Sequence, residues 1–134
     1  MKITSFEIIK VPPSWVWLRI HTDTEHTGLG EPYLENHPDS VIAEVRRLEP
    51  FLIGKDPTQV EKLWKEMYES GTGYLGGPVK MSALSGIDIA LWDLAGKARS
   101  EEHTSELQSL VKLVCRLLLV KKNTPRPPSP PTLP

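Results

Sequence analysis

The sequence predicts an α+β domain: a three-stranded antiparallel meander, then a three-helix segment, then a tail outside the fold. Three observations carry this prediction. Short β-rich segments with tight connections fill residues 2–33. Apolar residues then recur at helical spacing in three stretches that end near Lys97. From Arg99 onward both patterns stop.

The first strand is expected over residues 2–10, with Ile3, Phe6, Ile8 and Ile9, halted by Val11-Pro12-Pro13. The second, residues 15–22, alternates well: Val16, Leu18 and Ile20 face one way and Arg19 and His21 the other. Asp23-Thr24-Glu25 turns the chain, and His26 to Tyr33 returns as a third strand containing Gly28 and Gly30. Should that turn require a positive φ, Glu25 would be strained there.

The helices follow. Asp39 or Ser40 can cap a helix with Val41, Val45, Leu48 and Leu52 on one face, which Pro50 is expected to end before Leu52. Asp56-Pro57-Thr58-Gln59 reads as an N-cap, a first-turn proline and a capping-box Gln. Val60, Leu63, Trp64, Met67 and Tyr68 then recur at helical spacing. The third helix, from about Pro78 to Lys97, is apolar around most of its circumference (Val79, Met81, Ala83, Leu84, Ile87, Leu91, Trp92 and Leu94 among others). Such a helix expects burial on several sides, more than this small domain is expected to provide, and so leaves a surface for a partner.

Bulk properties narrow the function classes. A net charge of −1 gives no electrostatic footprint for nucleic acid or an anionic membrane. No apolar run approaches the roughly 20 residues that span a bilayer, and Met1 opens into a strand pattern without a signal peptide. The single cysteine, Cys115, lies in the tail, so residues 1–98 offer neither disulfides nor thiol chemistry and suit a cytoplasmic location.

Several motifs invite chemistry that their context resists. Gly71-Thr72-Gly73-Tyr74-Leu75-Gly76 matches the dinucleotide fingerprint letter for letter, but a nucleotide loop follows a strand and this one follows a helix. An interhelical loop is the better reading. Glu31, Glu35 and His37 could ligate a hard cation but lack the dense carboxylate spacing of a dedicated cage. Glu101-Glu102-His103 falls in the tail and is assigned nothing. Asp88 and Asp93, in the apolar third helix, read as makers of structural hydrogen bonds or ion pairs. Residues 1–98 hold no complete catalytic set, so no catalytic residue is assigned.

The residues also carry a family resemblance. Thr27-Gly28-Leu29-Gly30-Glu31, Leu52-Ile53-Gly54-Lys55-Asp56-Pro57 and Gly76-Gly77-Pro78 contribute, and the run Met81 to Lys97, MSALSGIDIALWDLAGK, is the strongest part. Residues 1–98 resemble the N-terminal capping domain of the mandelate racemase/muconate lactonizing branch of the enolase superfamily. The Pro12-Pro13-Ser14-Trp15 loop and Met67 to Gly71 are most similar to its galactonate dehydratase-like acid-sugar dehydratases. The resemblance implies a parent enzyme, a homo-oligomer, that binds a sugar acid on Mg²⁺ and removes the proton α to its carboxylate. It places the metal ligands and bases on a C-terminal barrel, so this chain is expected to hold no cofactor or metal site and to be inert alone. It gives the cap the task of closing over the barrel mouth and helping to choose the substrate. By position, the cap residues expected to face substrate are Ser14 and Trp15 after the first strand, Tyr33 and Glu35 after the third, and Tyr74 in the glycine loop. Core packing is an equal alternative for the aromatics.

The tail reads differently. Arg99 to Ser109 is what a common sequencing-library adapter gives on translation, and Leu113 to Leu119 fits the adapter's next constant segment, with Lys112 and Val120 departing from the expected codons. Residues 99–134 are therefore expected to be artefactual. Pro125 to Pro134 imitates a polyproline ligand, a weaker reading. The rival function is a small stand-alone binding protein that recruits a partner through its exposed apolar helix.

Overall fold

The computed structural model describes residues 1–71 and 76–122, with side chains as far as Ser100. The backbone divides into two units between Arg99 and Ser100, and every side-chain contact described below lies within the first. Strands β1 (Ile3–Val11), β2 (Trp15–Thr22) and β3 (Thr27–Gly30) form one antiparallel sheet in the order β1-β2-β3. Helices α1 (Pro38–Leu52), α2 (Val60–Glu69) and α3 (Pro78–Lys122) follow. The α+β meander-then-helices order is the one the sequence predicts.

Alternation decides the sheet. Val16, Leu18 and Ile20 are buried on the inner face, while Trp15 and Trp17 point outward. β3 is shorter than the His26–Tyr33 expectation. Pro32 has no N–H to give to a ladder, and the chain leaves the sheet after Gly30. The turn before it does not strain Glu25: among the described residues only Asn36, at φ 60°, is a non-glycine with positive φ. Thr22 and Thr24 instead hold that turn, with Thr22 Oγ1 2.8 Å from both Thr24 Oγ1 and the His26 carbonyl it donates to.

Four helix boundaries differ from the sequence reading. α1 begins at Pro38 behind His37, with no side-chain cap from Asp39 or Ser40. Pro50 lies inside its last turn without ending it, because a proline there removes a single ladder bond and the Ile53 N–H still reaches the Glu49 carbonyl at 3.2 Å. α2 begins at Val60, later than the Asp56 signal suggests. Asp56 Oδ1 accepts from the Thr58 N–H (2.9 Å) and hydroxyl (2.7 Å), closing a turn ahead of the helix instead of capping it. α3 runs to Lys122, well past the expected end at Lys97.

The core lies between the sheet and the three helices. Phe6, Leu18 and Ile20 meet Val41, Val45, Leu48 and Leu52 of α1, Leu63 and Met67 of α2, and Leu84, Ile87, Leu91 and Leu94 of α3. The domain covers α3 more fully than expected. Ala83, Leu84, Ile87, Ala90, Leu91, Leu94 and Ala95 are at most 1% exposed, and the apolar side chains left open, Met81, Ile89 and Trp92, fall on one stripe.

Helix side chains close both edges of the sheet. On the β1 edge, the Phe6 N–H donates to Glu49 Oε1 (3.0 Å) and Arg46 Nη1 donates to the Phe6 carbonyl (3.2 Å). On the β3 edge, the Leu29 N–H donates to Asp93 Oδ2 (2.9 Å) and Lys97 Nζ donates to the Thr27 carbonyl (2.7 Å). These bonds satisfy backbone groups that an open edge would offer to another chain.

Candidate functional site

Four of the five residues singled out in the sequence are described, and two of them meet. Trp15 opens β2 directly opposite Val11, after the Pro12-Pro13-Ser14 connection. Tyr33 follows Pro32, which is buried where the chain leaves β3. Their ring centroids are 5.3 Å apart at an interplanar angle of 31°, within the range of favourable aromatic pairs. Trp15 is 46% exposed and Tyr33 39%, so neither is a core residue. Ser14 is half-buried beside Trp15, and Glu35 is exposed two residues beyond Tyr33. Tyr74 lies outside the described residues. The pair offers two aromatic faces and the Tyr33 hydroxyl, groups that stack on apolar faces and hydrogen-bond to polyols, with Ser14 and Glu35 nearby in sequence.

One member of this surface was missed. Trp17 is 39% exposed on the outer sheet face, with Ile9 as its cross-strand partner. The alternation that buries Val16 and Leu18 turns Trp17 outward together with Trp15, so the signal was present. Further along that face the surface becomes ionic: Glu7 Oε2 accepts from Arg19 Nη1 at 3.2 Å and lies 2.9 Å from His21 Nε2. The hydrogen bond with His21, helped by Arg19, holds the Glu7 carboxyl below its ordinary range.

Behind Tyr33 the backbone of β3 lies almost in contact with α3. A Cβ on Gly28 would stand 2.2 Å from the Ala90 carbonyl oxygen, and one on Gly30 would stand 2.0 Å from that of Gly86. A Cβ on Gly86 would in turn stand 2.4 Å from the nitrogen of Pro32. Side chains there would force the two elements apart. Asp93 acts as the expected maker of structural bonds, accepting from the Leu29 N–H and, at 2.7 Å, from Lys97 Nζ. Burial pushes its carboxyl up, but these hydrogen bonds outweigh that effect and leave it below its ordinary value. Asp88 does not fit the same expectation. It has no hydrogen-bond or ion-pair partner among the described residues, and burial alone pushes its carboxyl up. It borders a shallow hollow of about 240 Å³ with Val60, Glu61, Trp64 and Trp92.

The remaining motifs are quickly placed. Gly71 follows α2, and the sheet is antiparallel throughout, so no βαβ unit surrounds the glycine fingerprint. Its flanks, Gly71 and Gly76, border an open cleft of about 470 Å³ with Glu44, Arg47 and Lys80. Among the described residues no three His, Cys, Asp or Glu side chains could hold a metal together, Glu31, Glu35 and His37 included. The side chains of Glu101, Glu102 and His103 lie outside the described residues. No described helix is long and apolar enough to cross a membrane.

Comparison with known proteins adds the lineage. The family model for the mandelate racemase/muconate lactonizing enzyme N-terminal domain matches residues 7–111. A D-galactonate dehydratase of Verminephrobacter eiseniae is 52% identical over 98 residues, covering 73% of this chain and 25% of that protein. A D-galactonate dehydratase of Klebsiella pneumoniae is 45% identical over 112 residues, 84% of this chain and 29% of that protein. The crystal structure of an enolase from Pantoea ananatis with bound D-gluconate and Mg superposes at a TM-score of 0.68 with 38% identity, covering 73% of this chain and 25% of that one. The chain thus spans about a quarter of the length of these relatives.

Proposed function

We propose, for a chain that belongs to the mandelate racemase/muconate lactonizing enzyme family through its N-terminal domain, that residues 1–98 are the capping and substrate-selecting part of an acid-sugar dehydratase. The observation that carries this reading is the exposed Trp15–Tyr33 pair, flanked by Ser14 and Glu35, at one end of the sheet. Its stacking faces and hydroxyls suit a polyhydroxylated carboxylate such as the D-gluconate held by the Pantoea ananatis enolase. The names of the relatives narrow the reading to a galactonate dehydratase-like reaction, in which the proton α to a carboxylate is removed.

The Mg of that enolase has no matching group of three His, Cys, Asp or Glu side chains among the described residues here. Their part is to bind, orient and exclude water at the mouth of a barrel supplied by the rest of the parent enzyme. We read the parent as a cytoplasmic homo-oligomer and the 134-residue chain alone as inert toward sugar acids, with or without Mg²⁺. Magnesium-dependent turnover surviving rigorous purification would overturn that.

Residues 99–134 are read as non-native. The genomic sequence after the codon for Ala98 tests this directly. It should continue with a linker and about 250 further residues of alternating strand and helix, the usual size of such a barrel. A stop codon within a few codons would instead favour a stand-alone binding protein, a reading supported by the exposed Met81, Ile89 and Trp92. In the intact parent enzyme, Trp15→Ala and Tyr33→Ala should change the ratio of kcat/KM between epimeric sugar acids by about 10-fold, the scale of a lost specificity contact. Ratios unchanged in both variants would remove the pair from the substrate surface.

A further inference from the structure

We propose that Asp93 is a positioning residue: through β3, it fixes the place of Tyr33 against Trp15. The inference deepens the functional reading above and rests on it only for the role of the aromatic pair. The link is a short, continuous chain of contacts. Asp93 Oδ2 accepts from the Leu29 N–H at 2.9 Å and from Lys97 Nζ at 2.7 Å. Lys97 Nζ also donates to the Thr27 carbonyl at 2.7 Å, so one helical turn of α3 grips β3 at two backbone points. Between and beyond those points Gly28 and Gly30 bring the β3 backbone against the Ala90 and Gly86 carbonyls, with the Leu94 side chain and the Ala90 methyl beside them. Gly86 also abuts Pro32, the residue that leads into Tyr33.

Two features make this clamp specific for position. β3 is only four residues long and pairs with β2 alone, so half of its backbone groups face the edge that α3 closes. The two glycines have no side chains of their own to interlock with α3, so the hydrogen bonds of Asp93 and Lys97 are the directional contacts that set how far along α3 the strand sits. Pro32, with its fixed φ, then carries that setting into Tyr33. Tyr33 has no other ring contact described than Trp15, 5.3 Å away. Sequence distance conceals the connection, because Asp93 lies 64 residues from the strand it holds.

The test uses the full 134-residue chain and no substrate. The indole N–H resonance of Trp15, assigned by its loss in Trp15→Phe, reports the ring current of Tyr33, and Tyr33→Leu marks its position when the partner is absent. In Asp93→Ala the resonance should move at least half of the way to that marker. In Leu63→Ala, a core variant in α2 that destabilises the domain without touching β3, it should stay at the wild-type position. An unmoved resonance in a folded Asp93→Ala overturns the proposal, as does an equal displacement in Leu63→Ala. If Asp93→Ala does not fold, Lys97→Met gives the reading: displacement toward the Tyr33→Leu position supports the clamp, and none overturns it. Because no sugar acid enters the measurement, its failure is separable from a failure of the pair to face substrate.

Discussion

The two faces of the three-stranded sheet carry comparable loads of large apolar side chains and meet opposite environments. Inward, Phe6, Val16, Leu18 and Ile20 are at most 5% exposed. Outward, Ile9, Val11, Trp15, Trp17 and Leu29 are between 36% and 46% exposed. Hydropathy does not distinguish them. What does is glycine: on the inner side Gly28 and Gly30 let α3 approach to backbone contact, while nothing among the described residues covers the outer side. One face therefore packs the core, and the other is left part-exposed among the described residues.

The largest expected effect contrasts neighbours on the two faces. Leu18→Ala should destabilise the chain by about 4 kcal/mol, the usual result of a cavity at a fully buried leucine. Trp17→Ala, one residue away and facing out, should cost well under half as much. Urea unfolding of both variants checks this, and similar midpoints would erase the distinction between the faces.

Next comes the glycine seam. Gly30→Ala places a methyl 2.0 Å from a carbonyl oxygen of α3, backbone that cannot rotate aside. About 3 kcal/mol of destabilisation is expected, at the upper end of ordinary overpacking. The domain's total is on the order of 10 kcal/mol, so this variant should melt many degrees lower. A Gly30→Ala chain as stable as wild type would show that the seam opens freely.

The sequence revealed the inner face and the family motifs more clearly than the contacts between elements. Period-2 alternation located Val16, Leu18 and Ile20 because burial is imposed residue by residue. The family resemblance, not the alternation, pointed to Trp15 and Tyr33 as substrate-facing candidates, and the structure adds that their ring centroids are 5.3 Å apart. The errors fall at helix ends. Asp56 and Ser40 have the chemistry of caps, but local signals compete within a few residues, and tertiary packing picks the register. The expectation for the paired aspartates failed at Asp88, which has no partner among the described residues, and held for Asp93, which takes one donor from Lys97 a turn away and the other from Leu29 of a strand far away in sequence. Such pairings depend on how elements dock, which no spacing along the chain encodes.

A smaller effect follows from the charge in the seam. Asp93 titrates below its ordinary value in the folded chain, so its ionised form is favoured by folding. Its contribution is fully present above the unfolded carboxyl value of about 3.9 and is lost as pH falls through the lower, folded value. Asp93→Asn should therefore flatten the loss of stability below about pH 4 while lowering stability at pH 7, read from urea midpoints across pH. A wild-type slope in Asp93→Asn would assign the acid sensitivity elsewhere, Glu7 being the first alternative, since its carboxyl is held low in the same direction.

The smallest effect on stability is the sharpest probe of the outer face. Val11 and Leu29 are both 40% exposed on strands, and threonine keeps the strand preference while adding a hydroxyl. The double substitution Val11→Thr and Leu29→Thr trims side chains that are already 40% exposed, so it should cost well under half the stability that the same change costs on the inner face. Binding of a hydrophobic dye should nevertheless fall, as should aggregation on standing, because both depend on exposed apolar area and not on folded stability. The same pair of substitutions on the inner face, Val16→Thr and Leu18→Thr, should do the reverse, lowering the midpoint and raising dye binding. If the outer pair destabilises the chain as strongly as the inner one, that face is covered in solution by something that stabilises it.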